Sequence, residues 1–111
     1  MSLDISAVTF NSAQPHRLAH FWAQALGAQV VDGGNGYLHV RAAGMLIIVQ
    51  SAPEHTSGTP TDVHLDLRAD DRVLEAQRLV GLGATLLTER SDSHGTWSVL
   101  TDPDEREFCI G

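Results

Sequence analysis

Hydrophobic and polar positions follow the same order of periods twice along the chain. Ile5–Phe10 (Ile-Ser-Ala-Val-Thr-Phe) alternates and is β-branched, which predicts a strand. Polar Asn11–Gln14 follows, and Pro15 stands where a helix opens, with Ser12 or Gln14 as its cap. Leu18, Phe21, Trp22, Ala25 and Leu26 then recur at helical spacing, and Gly27 occupies the left-handed C-cap position. Short β-like runs over 29–32, 36–41 and 45–50 are separated by Gly33–Gly36 and by Ala43-Gly44, both tight-turn sites, and read as a meander. A loop over 51–61, carrying Pro53, Gly58 and Pro60, precedes the second round.

That round opens with a strand at Val63–Leu67. Asp70 or Asp71 caps a helix with Val73, Ala76, Leu79 and Val80 on one face, and Gly81-Leu82-Gly83 ends it. Strands are expected over 84–90, 96–102 and 106–110. Ala-Leu-Gly-Ala (25–28) echoes Gly-Leu-Gly-Ala (81–84), each joining its helix to three strands. A repeat of half the chain is a stronger topological signal than any single element. The expectation is one α+β domain over 1–111, with module one at about 3–50 and module two at about 62–111, each strand-helix-strand-strand-strand.

Composition narrows the function classes. The chain has 111 residues, 42% of them hydrophobic, enough for one compact core. No apolar stretch approaches a membrane span, and no export signal stands at the N-terminus, so a soluble cytoplasmic protein is expected. The lone Cys109 forms no intrachain disulfide, which suits a reducing compartment. A formal charge of −7 with no lysine argues against binding a nucleic-acid backbone. A neutral or cationic ligand suits such a surface better.

Three segments carry a family resemblance: Leu-Ala-His-Phe-Trp-Ala-Gln-Ala-Leu-Gly (18–27), Val-His-Leu-Asp-Leu (63–67), and Trp-Ser-Val-Leu-Thr-Asp-Pro-Asp (97–104) running into Glu-Phe-Cys-Ile (107–110). Together they resemble the vicinal-oxygen-chelate superfamily of glyoxalase-like proteins, extradiol dioxygenases and fosfomycin- and bleomycin-resistance proteins, in its glyoxalase-like branch. The resemblance implies two βαβββ modules in an incompletely closed eight-stranded barrel, helices outside, with a concave inner face for a small molecule and often a divalent metal. It also implies a homodimer, in which the modules can be exchanged between chains. The family's metal ligands lie on the first and last strands of each half, here Ala7, Gln50 (or Val49), His64 and Cys109. Glu105-Arg106 stands where the family has Gly-Asn after Asp-Pro-Asp, a departure that bears on the last hairpin.

Strand alternation supports the same inner face independently. If Val63, Leu65 and Leu67 face a helix, then His64, Asp66 and Arg68 face inward; if Phe108 and Ile110 face a helix, Cys109 and Glu107 face inward. The predicted pocket is lined by Thr9, Tyr37, His39, Leu46, Ile48, Gln50, His64, Asp66, Trp97, Val99 and Cys109. His64 is the foremost candidate for chemistry, with Asp66 two residues along the same face to orient its imidazole. Tyr37 and Trp97 are candidate stacking walls, and His39, Gln50 and Cys109 candidate ligand contacts. Each has a plainer reading as a packed or hydrogen-bonded interior side chain.

Only His64 of the four implied metal positions is a strong ligand; Cys109 could bind a soft metal as thiolate, but His64 with one thiol is an incomplete site, so no resident cofactor is expected and a divalent metal is the lesser alternative. His16 and His20 have the i,i+4 spacing of helical zinc sites, yet they lie opposite the apolar stripe and read as a solvated face. His55 and His94 fall in loops without an identifiable partner. These readings favour a metal-independent binder of a small organic molecule, as in bleomycin-type resistance. A lyase, isomerase or hydrolase acting on a small carbonyl compound with His64 as general base is the alternative, and a regulatory protein holding a metabolite is the third.

Overall fold

The computed structural model describes residues 3–55, 58, 59 and 61–111. Its elements run β1 (Leu3–Ser12), α1 (Pro15–Leu26), β2 (Val30–Gly34), β3 (Tyr37–Ala42), β4 (Met45–Ser51), β5 (Val63–Ala69), α2 (Arg72–Leu82), β6 (Thr85–Asp92), β7 (Gly95–Thr101) and β8 (Glu107–Ile110). The α+β class and the repeated βαβββ order are as expected. Two compact units divide the chain: Ala7–Val63, and Leu3–Ser6 with His64–Gly111. Pro60 lies outside the described residues.

In the first unit the strand order is β2-β3-β4-β1, with β1 parallel to β4 and the β2-β3-β4 meander antiparallel. Helix α1 packs on this sheet through Ala19, Ala23 and the half-buried Leu18, over Leu38, Val40 and Val49. The periodic pattern had placed Phe21, Ala25 and Leu26 in this contact. Phe21 is instead 60% exposed and Leu26 46%. Two alanines at i,i+4 let the helix backbone approach the sheet closely, and the buried stripe turns toward them. Trp22 stays at the edge, stacked on Phe10 at 6.0 Å and edge-on to Phe21 at 5.2 Å. Its buried indole Nε1 has no hydrogen-bond partner among the described residues. Gly27 takes the left-handed C-cap at φ 67°, whereas Gln14 makes no side-chain cap; the Ser12 hydroxyl accepts from its N–H instead.

The second unit repeats the order as β5-β8-β7-β6, with β5 parallel to β8. Asp71 is the cap of α2, its carboxylate accepting from Leu74 N–H at 3.0 Å. Ala76 of the helix, with Leu79 beside it, covers fully buried Leu100 and Ile110. Val73 and Val80, predicted for this face, are 48% and 45% exposed. Glu75 is buried in their place, neutralised by Arg78 at 2.7 Å. The same short helix leaves the start of β5 uncovered. Leu67 packs against its core, but Val63 and Leu65 stay 43% and 42% exposed.

Two local arrangements replace signals the sequence lacks. In the turn after β7, Glu105 sits at φ 68°, a left-handed position that favours glycine. Asp102 holds it there, its Oδ1 accepting from both Asp104 N–H and Arg106 N–H at 2.9 Å. In the loop before β5, half-buried His55 has its side chain 8% exposed and its Nε2 at 2.7 Å from Asp62 Oδ1, so this histidine has a partner. Asp62 Oδ2 also accepts from Gly58 N–H at 3.0 Å.

The hydrogen bond from Gly58 and the contact with His55 hold the Asp62 carboxyl below its ordinary value of 3.8. Its contribution to stability is therefore complete above the unfolded-state value and lost as pH falls through the lower folded one. Asp62→Asn should flatten the acid limb of a melting-temperature profile between about pH 2 and 5 while leaving its shape above pH 5 unchanged. An acid limb as steep as that of the unaltered protein would remove the pair from this account. In the second unit, Leu100→Ala should cost about 2–5 kcal/mol in urea denaturation, and Leu65→Ala less than about 1 kcal/mol. Equal losses would mean that β5 is covered.

Candidate functional site

Packing under α2 sets the orientation of β5, β7 and β8 in the second unit. Leu67, Ile110 and Leu100 point to the helix side, so Asp66, Cys109 and Val99, one residue away on their strands, point to the other. Asp66 is the register partner of Cys109, and Cys109 that of Val99. His64 and Trp97 lie two residues along the same faces. Arg72 confirms the division from the helix side, donating from Nη1 to Glu89 Oε1 and to the buried Ser98 hydroxyl, both at 2.7 Å.

One donor from each of His64, Asp66 and Cys109 lies within 4.8 Å of the other two. His64 Nε2 is 3.4 Å from Asp66 Oδ1, with side-chain exposures of 14% and 25%. At that distance the carboxylate orients the imidazole by charge more than by a short hydrogen bond. Trp97 is half-buried at one end of this face.

Burial pushes the Cys109 thiol up to about 12, and the carboxylates of Asp66 and Glu107 add to the shift while Arg90 opposes it. Arg90 was not singled out from sequence. It pairs with Trp97 in register and so joins the inner side because β6 is irregular between Leu86 and Thr88. That extra residue reverses the alternation, and no pattern in Thr85–Asp92, exposed throughout, announces it.

The remaining predicted contacts belong to the first unit. Thr9, Ile48 and His39 form one row across β1, β4 and β3; Asn11, Gln50 and Tyr37 form the next. Thr9 is buried, and Tyr37, His39, Ile48 and Gln50 are half-buried. The His39 ring lies close over Gly33, where a Cβ would stand 2.5 Å from its Nε2, so a larger residue there would displace the imidazole. Asn11 is the addition here, legible from its position two residues beyond Thr9. His16 and His20 are exposed, as expected of a solvated face.

The four family-implied metal positions do not make a hard-ion site in this chain. Ala7 has no donor and Gln50 only a neutral amide, while a divalent ion such as Ni²⁺ or Mn²⁺ wants several imidazoles and carboxylates. What the second unit offers is different: one imidazole, one carboxylate and one thiol. A separate groove of about 570 Å³ lies between α2 and β6, lined by Val73, Ala76, Val80, Ala84, Leu86 and Glu89. It is on the helix side, away from His64 and Cys109, and its lining is mostly apolar.

The glyoxalase-like domain family model matches residues 7–111. The chain belongs to that family. No curated protein matches it. Among solved structures, the chain is similar to the NAD-dependent benzaldehyde dehydrogenase of Legionella pneumophila at 16% identity and TM-score 0.71, with 94% of this chain and 95% of that one covered. A glyoxalase/bleomycin resistance protein/dioxygenase superfamily member from Vibrio splendidus 12B01 gives 15% identity and TM-score 0.68, covering 98% and 97%. At such identities the likeness establishes the glyoxalase-like fold and no activity. Among the described residues no helix is long and apolar enough to cross a membrane.

A protonated, partly buried Cys109 is a poor nucleophile. Its reaction with Ellman's reagent at pH 8 should be at least about 100-fold slower in the folded protein than in guanidinium, measured as thiol release over time. Equal rates would return Cys109 to the list of reactive groups.

Proposed function

We propose that this glyoxalase-like protein binds a small organic molecule on the face that carries His64, Asp66, Trp97 and Cys109, in the manner of a bleomycin-resistance protein and without the family's hard catalytic metal. The observation that carries this reading is the convergence of an imidazole, a carboxylate and a thiol on one partly buried strand face, with Trp97 farther along that face. An apolar wall with a few convergent polar groups is the usual composition of a small-molecule site. The acidic chain, at −7, suits a neutral or cationic ligand. Tyr37, His39 and Gln50 are proposed ligand contacts on the polar face of the first unit itself.

The second reading is a lyase, isomerase or hydrolase acting on a small carbonyl compound. The 3.4 Å contact between His64 and Asp66 favours it, because a carboxylate beside an imidazole stabilises the imidazolium that forms when the ring takes a proton. We place the protein in a reducing cytoplasm, where the lone Cys109 stays a thiol. We also expect a homodimer, supported by the exposed apolar side chains Val73, Leu74, Leu82, Leu86 and Leu87 of the second unit.

Native mass spectrometry of freshly purified protein should show a dimer carrying a retained small molecule. In a Trp22→Phe background, Trp97 fluorescence should report titration with that molecule. His64→Ala should weaken the titration at least about tenfold, and Trp97→Ala should do the same by calorimetry, each with a melting temperature within a few degrees of the parent. Normal binding by both variants would place the site elsewhere. Binding without turnover of the retained molecule supports the first reading, and turnover abolished by His64→Ala the second.

A further inference from the structure

We propose that His64, Asp66 and Cys109 form a three-donor site for a thiophilic divalent ion, Zn²⁺ or Co²⁺, contained wholly within the second unit. The inference goes beyond the ligand-binding reading and does not depend on which organic molecule occupies that face. It also departs from the family pattern, in which both halves contribute ligands. Ala7 and Gln50 contribute none here, and Asp66 is not one of the four family positions.

The argument is geometric first. Asp66 and Cys109 are register partners on the adjacent parallel strands β5 and β8, and His64 precedes Asp66 by two residues. All three side chains therefore leave the sheet on the same side. Ordinary bond lengths of about 2.0 Å to nitrogen or oxygen and 2.3 Å to sulfur put tetrahedral donors about 3.3–3.7 Å apart. The imidazole and carboxylate already stand at 3.4 Å. All three donors lie within 4.8 Å of one another, so closing on an ion asks for roughly 1 Å of side-chain adjustment and no change of strand register.

Donor chemistry then selects the ion. A thiolate with an imidazole and one carboxylate favours Zn²⁺ and Co²⁺ over Mg²⁺, Ca²⁺ or Mn²⁺. On coordination the sulfur–hydrogen bond breaks, the proton passes to solvent and a sulfur–metal bond replaces it. Two anionic donors and a neutral imidazole balance the dication. Three protein donors leave the fourth tetrahedral position open to water or to a ligand oxygen or nitrogen.

Cys109 is the sole cysteine of the chain, which makes the test direct. Metal-free protein titrated with Co²⁺ should saturate at one equivalent per chain, with tetrahedral visible bands and a near-ultraviolet thiolate-to-cobalt charge-transfer band. Zn²⁺ should displace the cobalt. Cys109→Ser should lose the charge-transfer band. Asp66→Asn should keep it but bind at least about tenfold more weakly. His16→Ala, which alters the exposed helical pair, should titrate like the parent. No cobalt binding below about 1 mM, or bound cobalt without the charge-transfer band, overturns the proposal even if Cys109→Ser fails to fold. So does undiminished affinity in folded Asp66→Asn, or cobalt binding lost on His16→Ala. A protein that fails this test can still bind its organic molecule, and one that passes can still fail the ligand titration, so the two outcomes are separable.

Discussion

The second unit depends on one contact, the burial of Leu100 and Ile110 beneath Ala76 of α2. Side chains alternate along a strand, so committing Leu100 and Ile110 to the helix commits Val99 and Cys109 to the opposite face. Register does the rest: Cys109 brings Asp66 beside it, and Asp66 brings His64. A slip of one residue in β8 would place Cys109 against the helix and Phe108 among the polar groups. The candidate chemistry is thus placed on its face by apolar packing on the reverse of the sheet.

In the first unit the corresponding contact is made by small side chains. Ala19 and Ala23 lie over Val40 and Val49, and their size sets how near α1 comes to the sheet. The consequence on the other face is the pair of rows, Thr9–Ile48–His39 and Asn11–Gln50–Tyr37, that present polar groups in register. Gly33 completes the arrangement by leaving room for the His39 ring. Helix packing and site construction are in both units two consequences of the same two-residue period.

Much of this was legible from the sequence because period two and helical period survive folding without tertiary help. The strand-helix-strand-strand-strand order, a cap at Asp70 or Asp71, the Gly27 stop and the nearness of His64 to Asp66 all follow from local pattern, and the structure selects Asp71 as the cap. Helix faces were less legible. Apolar bulk pointed to Phe21 and Leu26 in α1, whereas close approach selects Ala19 and Ala23; in α2 the pattern found Ala76 and Leu79 but added Val73 and Val80, which stay exposed. Hydrophobic size and nearness to the sheet are different quantities, and in α1 a pattern weighted by size misses Ala19 and Ala23. Arg90 was hidden behind a strand irregularity, and the His55–Asp62 pair behind a loop whose closure no periodicity encodes.

Burial and charge account for the character of the donor face. Burial of the Cys109 sulfur is the main cause of its raised value, and the negative charges of Asp66 and Glu107 add to it. In that field a thiolate is disfavoured unless a cation comes with it, so the thiol stays protonated and inert when the face is empty of cations. A nucleophilic role for Cys109 would need the reverse, a positive neighbour strong enough to outweigh two carboxylates, and Arg90 alone does not supply it. The surroundings of Cys109 therefore weigh against covalent catalysis at that sulfur.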